Sequence, residues 1–180
     1  MGYERLTRVV LSIDELAELE QVDALAQRLR AHLVESEAAI DLAHVHDAKS
    51  GAIQTIASTL LREGLGFEEE VVLAPDEGFT IRARPDFIFR LADGRGVLAE
   101  VERGGTTTNN HDLKDFWKTH IAQDAQHLFL IVPHSNWRKD GTGREKPFKH
   151  VCRRLRAFFG DARREVDVVS VHIFGYGREA

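Results

Sequence analysis

Three acidic residues around a short turn, Asp86, Glu100 and Glu102, are the residues of this chain best suited to chemistry. They lie in two strand-like runs, 86–91 and 97–103, which an Asp-Gly turn joins in the manner of a β-hairpin. Because side chains alternate between the faces of a strand, all three carboxylates can share one face of the hairpin. Grouped carboxylates repel one another, and a hard cation removes that cost. The pattern therefore predicts a Mg²⁺ site, with Mn²⁺ as a substitute.

Two neighbouring features favour a site over the alternative, which is an ordinary acidic, solvent-exposed hairpin face. Pro85 cannot donate a hydrogen bond to a strand ladder, so the chain at Asp86 is expected at an edge or a bulge. The Arg-Gly-Gly run at 103–105 ends the second strand abruptly. The carboxylates are therefore expected near the end of a strand.

The Pro-Asp pair at 85–86, the hairpin and the Glu-Val-Glu run at 100–102 together resemble the motif of the PD-(D/E)XK nuclease superfamily. The resemblance implies that Asp86 and Glu100 bind Mg²⁺ and that a lysine two residues later orients the attacking water. Glu102 stands where that lysine is expected, and a few type II restriction enzymes of the superfamily likewise have Glu-x-Glu.

The run Glu-Val-Glu-Arg-Gly-Gly-Thr at 100–106 is also similar to the Glu-Val-Asp-Arg-Gly-Thr motif of actinobacterial plasmid replication-relaxation proteins. That resemblance implies a lysine on the helix after the motif strand, for which Lys118 and Lys114 are the candidates. In the alternative arrangement Glu102 itself is the general base. The superfamily also implies a Glu from the first core helix near the metal. Glu63 is the candidate for it, and a solvated Glu is the competing interpretation.

Periodicity places these residues in a defined order of elements. A capping box at Ser12 and Glu15 begins an amphipathic helix, and Ser50 is expected to begin another that Gly64 ends. The apolar run at 127–133 is typical of a buried parallel strand. The predicted helices are 13–34, 36–47, 50–64, 110–125 and 147–160, and the predicted strands are 67–74, 79–91, 97–103, 127–133 and 166–174.

The order helix, three strands, helix, strand over residues 50–133 is that of the restriction-endonuclease-like core of the superfamily. The sequence therefore predicts an α/β fold with a mixed sheet flanked by helices. We expect an N-terminal helical extension at 1–48 and a restriction-endonuclease-like domain at 49–180. The acidic first helix is expected to pack on the core or to pair with a second subunit in a homodimer. A polar loop is expected at 134–146.

Charge is unevenly distributed along this chain of net charge −5. Residues 137–164 contain ten basic and three acidic side chains, whereas residues 1–80 contain six basic and sixteen acidic ones. A basic block in an acidic protein is suited to phosphate contact, although a solvated helix face is the alternative. The residues predicted to contact nucleic acid are Arg138, Lys139, Arg144, Lys146 and Lys149.

Length and composition limit the classes of protein to which this chain can belong. Hydrophobic residues make up 43% of the 180 residues, which is enough for one domain with a full core. No apolar run approaches the roughly 20 residues that span a bilayer, and no signal-peptide pattern follows Met1, so a cytoplasmic protein is expected. The single Cys152 excludes an internal disulfide and a Cys-based zinc site.

The sequence thus predicts a Mg²⁺-dependent endonuclease acting on DNA, in a restriction, defence or mobile-element system. Neither a Walker-type phosphate loop nor a Gly-x-Ser-x-Gly nucleophile motif is present. The alternative is a catalytically inactive protein of the same fold that binds nucleic acid or acts as a scaffold subunit. Absence of the motif lysine favours that alternative, and retention of all three carboxylates favours the nuclease.

Overall fold

The computed structural model describes residues 1–45, 51–73, 84–92, 94–102, 106–163 and 165–180. The helices in these ranges are α1 (Ile13–Glu35), α2 (Glu37–Ala43), α3 (Gly51–Ser58), α4 (His111–Ile121) and α5 (Pro147–Phe159), with a π-helical turn at Thr59–Gly64. The strands are β1 (Gly2–Thr7), β2 (Glu68–Glu69), β3 (Phe87–Arg90), β4 (Gly96–Val101), β5 (His127–Pro133), β6 (Asn136–Trp137), β7 (Gly143–Glu145) and β8 (Ser170–Tyr176). None of the helices in these ranges is long and apolar enough to cross a bilayer.

Six strands form one mixed sheet in the order β1-β8-β5-β4-β3-β2. β5 is parallel to both of its neighbours, β4 and β8, and the other pairs are antiparallel. Every residue of β5 is buried, as its continuous apolar sequence requires for a strand covered on both faces. The predicted α/β class, with helix, three strands, helix and strand around a mixed sheet, is confirmed.

The alternation of side chains gives the sheet two buried faces. The α1 face packs against α1, α2 and α3 through residues such as Phe87, Val97 and Phe129. The α4 face packs against α4 and α5 through residues such as Ile88 and Leu98. The predicted division of the hairpin into two faces is therefore observed, and Asp86 and Glu100 belong to the α4 face.

The N-terminal segment differs from its prediction as a helical extension. β1 pairs with β8 along its whole length, from Gly2 opposite Gly175 to Thr7 opposite Ser170. Only Leu6 of β1 is buried, so the strand lacks the apolar pattern that would have revealed it. α1 begins at the predicted capping box and its apolar stripe joins the core of the α1 face. The domain boundary at 48/49 stays a prediction.

Several predicted elements have other bounds. β2 has only two residues of the predicted strand 67–74, and β3 begins at Phe87, while residues 74–83 lie outside the described ranges. Ser50, the predicted helix cap, also lies outside them. Residues 134–146 are not only a loop, because β6 and β7 form a two-stranded ribbon there. The closing strand is displaced toward the C-terminus and ends at Tyr176.

Candidate active site

The candidate site lies where β3 and β4 meet on the α4 face. Phe87 pairs with Ala99, so Asp86 and Glu100 are the next residues outward on the two strands. The Asp86 backbone N–H donates to Glu100 Oε2 at 3.2 Å, and the Val101 N–H donates to Asp86 Oδ2 at 3.0 Å. These two backbone-to-carboxylate bonds hold the Asp86 and Glu100 side chains beside each other.

Helix α4 adds a cation and another carboxylate. Lys118 Nζ donates to Glu100 Oε1 and, at 3.2 Å, to Asp115 Oδ1. Glu100 and Asp115 are buried, and the Lys118 side chain is 18% exposed. A helix brings positions three residues apart to the same side, so one turn of α4 supplies both Asp115 and Lys118.

Glu102, one step further along the motif strand, has a different partner. His111 Nδ1 lies 3.0 Å from Glu102 Oε2, and the Tyr176 hydroxyl donates to the Glu102 carbonyl at 2.8 Å. Its side chain is 14% exposed, so it lies at the edge of the site. Asp86, Glu100, Glu102 and Asp115, of which Glu100 and Asp115 contact Lys118, are called the carboxylate cluster below.

Burial and crowding shift the acidity of these groups. Burial raises the pKa of Glu100 to about 8, repulsion from Asp115 adds to the effect, and Lys118 opposes it. Burial and Asp115 likewise raise the pKa of Glu102 to about 7, against the hydrogen bond from His111. The pKa of Asp115 is also raised by burial. One lysine is therefore too little positive charge to keep every carboxyl of the cluster ionised at neutral pH.

The ammonium group itself stays charged. Burial alone would lower the pKa of Lys118, but attraction to Glu100 and Asp115 outweighs it and raises the pKa above its ordinary value. Lys118 therefore donates to the carboxylates as a cation over the physiological range. Among the described residues, Lys118 is the cation that the cluster contacts through salt bridges of Glu100 and Asp115.

Asp86 and Glu100 have the ligand type that a hard divalent cation such as Mg²⁺ prefers. Such an ion uses one or two protein carboxylates and retains several waters, and Asp86 and Glu100 supply two adjacent ones. Asp115 Oδ2 is buried without a hydrogen-bond donor among the described residues, although the Asp115 carboxyl can share a proton with that of Glu102. In the part of the chain that the structure describes, no three His, Cys, Asp or Glu residues are grouped as a complete metal-binding set. Waters or a phosphate would have to complete the coordination.

Two of the predicted site residues lie elsewhere. Glu63 is exposed in the π-helical turn, and neither a hydrogen bond nor an ion pair joins it to the carboxylate cluster within the described ranges. Lys114 is exposed on α4 and likewise has no bond to the cluster in the part of the chain described. Lys118, by contrast, reaches the cluster directly.

The predicted basic residues fall into two groups. Arg138, Lys139 and Arg144 are exposed on the β6–β7 ribbon and its turn. Lys146 donates to the Ala180 carbonyl, and Lys149 pairs with Glu179. The two lysines at the start of α5 are therefore already partnered by the C-terminal residues.

Sequence reasoning did not identify Asp115 or His111 as members of the site. Both lie on α4 with Lys118, at spacings of four and three residues that place all three on one side of the helix. That spacing was readable in the sequence. The sequence did not show which side of α4 meets the sheet, because that side depends on the turn between β4 and α4.

No family model matches the chain, and no curated protein matches it in sequence. Among solved structures it is similar to the crystal structure of restriction endonuclease BglII complexed with a DNA 16-mer. The TM-score is 0.49 and the sequence identity 13%, with 99% of this chain and 78% of that chain covered. The likeness is a weak one, at the level of the fold.

Proposed function

We propose that this chain is a Mg²⁺-dependent nuclease that hydrolyses phosphodiester bonds in DNA. The single observation that supports the proposal is the pairing of Asp86 with Glu100 across β3 and β4, with Lys118 bonded to Glu100. Bound Mg²⁺ would acidify a water molecule and offset the charge of the scissile phosphate. Asp86 and Glu100 would hold the ion, because they are adjacent and their oxygens are the ligands it prefers.

Lys118 is proposed to take the role of the lysine missing from the motif strand. Its ammonium contacts Glu100, so it would lie near a phosphate bound to a metal ion at Asp86 and Glu100. An ammonium 4 Å from a phosphate or hydroxide oxygen gains about 4 kcal/mol at an effective dielectric constant of about 20. Charge that develops on the phosphate would therefore be stabilised without a strand lysine.

Glu102 is the second candidate for assisting the attack of water. A carboxylate is an effective general base when its pKa approaches neutrality, and burial raises that of Glu102 to about 7. His111 fixes the orientation of this carboxylate through a 3.0 Å hydrogen bond. The two assignments are tested by different substitutions at Glu102. If Lys118 acts, Glu102→Lys keeps or raises activity, and if Glu102 is the base, Glu102→Gln is inactive.

Cleavage of labelled DNA and of RNA of the same sequence, with Mg²⁺ or with a chelator, tests the proposal. The wild type is expected to cleave DNA only with the metal, and Glu100→Gln is expected to be inactive although it keeps the shape of the side chain. Lys114→Ala is the matched control on the exposed side of α4. Equal cleavage by wild type and Glu100→Gln would contradict the proposal, and preference for RNA would change its substrate.

One observation favours the second candidate, a non-cleaving protein that binds nucleic acid or serves as a scaffold. Lys118 already offsets part of the charge of Glu100 and Asp115, so the cluster has an internal counterion. A crystal soaked in Mn²⁺ separates the two candidates. The nuclease predicts Mn²⁺ between Asp86 and Glu100, and the non-cleaving protein predicts the same Lys118 contacts with no ion. The homodimer and a restriction, defence or mobile-element role remain predictions.

A further inference from the structure

Glu145, the last residue of β7, joins two parts of the chain that are distant in sequence. Its Oε1 accepts a hydrogen bond from Asn136 Nδ2 at 2.7 Å, across the β6–β7 ribbon. Its Oε2 accepts from the hydroxyl groups of Thr107 and Thr108, each at 3.1 Å. Both carboxylate oxygens are therefore used, one toward the ribbon and one toward the turn that precedes α4.

That turn determines where α4 begins. The His111 N–H donates to the Thr106 carbonyl at 2.9 Å, and Thr106 is buried. From the other side, Arg154 of α5 donates to Asn110 Oδ1 at 3.1 Å and to Asp112 Oδ1 at 2.9 Å. Glu145 and Arg154 thus fix the start of the helix that supplies His111 and the cluster residues beyond it.

The ribbon positions three exposed cations at a fixed distance from this turn. Arg138 Nη1 donates to the Gly143 carbonyl at 3.2 Å, and Asp140 accepts from the Thr142 N–H at 2.9 Å, so the ribbon turn is closed by its own hydrogen bonds. Lys139 and Arg144 are exposed beside them. A short ribbon with cations at its tip is suited to contact a phosphate backbone.

We propose that the β6–β7 ribbon is an arm that contacts the phosphate backbone of DNA entering the active site, and that Glu145 is the positioning residue that fixes this arm relative to α4. The inference rests on the proposed function, because it assumes that DNA is the ligand. Without Glu145 the ribbon loses its two hydrogen bonds to Thr107 and Thr108 of the turn, and also the bond to Asn136 within the ribbon. DNA binding would then have to order the arm, and the entropic cost of that ordering would lower the affinity.

The direction in which DNA affinity changes when Glu145 is replaced makes the inference testable. Glu145→Ala removes a negative charge beside three cations, so an ordinary surface carboxylate at this position would give tighter binding of DNA when removed. A positioning role predicts weaker binding instead, on the order of tenfold. Glu145→Gln should bind DNA at least as tightly as wild type, because its amide can bond to the threonine hydroxyls and to a rotated Asn136 amide without the charge. Glu179→Ala removes the same charge away from the turn and should not weaken binding.

The measurement is fluorescence anisotropy of a labelled DNA duplex titrated with each metal-free protein over a range of salt concentrations. Emission of Trp137 in a Trp117→Phe background reports whether the ribbon has moved, since the chain has only two tryptophans. Weaker binding by Glu145→Ala, recovery in Glu145→Gln and altered Trp137 emission would support the inference. If Glu145→Ala binds DNA as tightly as Glu179→Ala, the inference is wrong but the proposed function is unaffected. Absence of binding by the wild type would overturn the proposed function together with the inference.

Discussion

On the α4 face of the sheet a lysine contacts two of four neighbouring carboxyl groups, whereas on the α1 face two histidines are buried with hydroxyl partners. His127 Nδ1 lies 2.8 Å from Ser170 Oγ, and the Tyr3 hydroxyl lies 2.8 Å from His172 Nδ1. Glu18 Oε2 of α1 is 3.4 Å from His127 Nε2. These residues are called the histidine cluster. Both clusters are polar and buried, yet they differ in charge and in access to solvent.

The difference shows which kind of buried polar group indicates a ligand. Ser170, His127 and Glu18 have the residue types of a nucleophile, a base and its partner, but Ser170 and both histidines are fully buried, so no substrate can reach them. Burial lowers the pKa of His127 to about 4 and that of His172 to about 3, so both are neutral near pH 7. Both histidines are therefore neutral and need no counterion, although His172 Nε2 is buried without a hydrogen-bond partner among the described residues. The described part of the carboxylate cluster, by contrast, has more acidic groups than positive charge.

The largest expected effect lies in the histidine cluster and concerns acid stability. The unfolded chain binds protons at its histidines near the ordinary pKa of 6.5, whereas folded His127 binds one only near pH 4. Stability should therefore fall as pH drops through this window, by about 3 kcal/mol from His127 alone. Urea denaturation between pH 7 and pH 4 measures it. His127→Gln, which cannot titrate, should reduce the pH dependence by about this amount and leave the part that comes from His172. An unchanged slope would show that the acid sensitivity arises elsewhere.

The next largest effect is the loss of turnover when Lys118, which contacts the carboxylate cluster, is replaced. Lys118→Ala should lower turnover by about 100-fold, because it removes about 3 kcal/mol of charge stabilisation in the transition state. Mn²⁺ binding should persist, since Asp86 and Glu100 are unchanged. Single-turnover cleavage rates measure the effect, with Lys114→Ala as the control four residues earlier on α4. Turnover by Lys118→Ala equal to that of Lys114→Ala would remove Lys118 from the mechanism.

A smaller effect concerns Glu100, whose contribution to stability changes with pH in the opposite direction to that of His127. The folded pKa of Glu100 is about 8 against an ordinary 4.5, so its contribution to stability is complete below pH 4.5 and is lost as pH rises toward 8. Mg²⁺ binds the ionised carboxylate, so it should stabilise the protein more at pH 8.5 than at pH 6. For a domain of this size each kcal/mol raises Tm by roughly 2–4 °C. Thermal melts with and without Mg²⁺ measure this difference, and Glu100→Gln should abolish it.

The smallest effect concerns the exposed cations of the ribbon. Each phosphate contact contributes about 0.9 to the slope of log affinity against log salt for duplex DNA. Changing Arg138, Lys139 and Arg144 to Ala should therefore reduce the slope, by up to about three such contacts. Lys146 and Lys149 already have partners in the C-terminal residues, so their double Ala variant should change it less. A larger loss in the double variant would move the DNA-binding surface to α5.

Local patterns in the sequence predicted the hairpin half of the site. Strand alternation placed Asp86 and Glu100 on one face, and the pairing of Phe87 with Ala99 brings them together as that alternation requires. Helical periodicity and the capping box likewise placed α1 within one residue of its observed end. These features depend on neighbours in the chain, which a sequence displays directly.

Features that depend on distant pairing were not predicted. β1 pairs with β8 at the other end of the chain, and the histidine cluster exists only because β5 and β8 lie side by side in one register. Asp115 joins the carboxylate cluster because Glu145 and Arg154 fix the start of α4, and neither contact has a local signal. The helical spacing of Asp115 and Lys118 was visible, but the side of α4 that faces the sheet is a property of packing.

The most direct test of the central claim is calorimetric titration of Mn²⁺ into wild type, Asp86→Asn and Ser170→Ala. Asp86→Asn retains an oxygen to accept the Val101 N–H and loses only the charge, and Ser170→Ala alters the histidine cluster on the other face. We expect the wild type and Ser170→Ala to bind Mn²⁺ with the same affinity and Asp86→Asn to bind it at least tenfold more weakly, roughly the cost of one charged ligand. Equal binding by all three proteins would show that Asp86 and Glu100 are not a metal site.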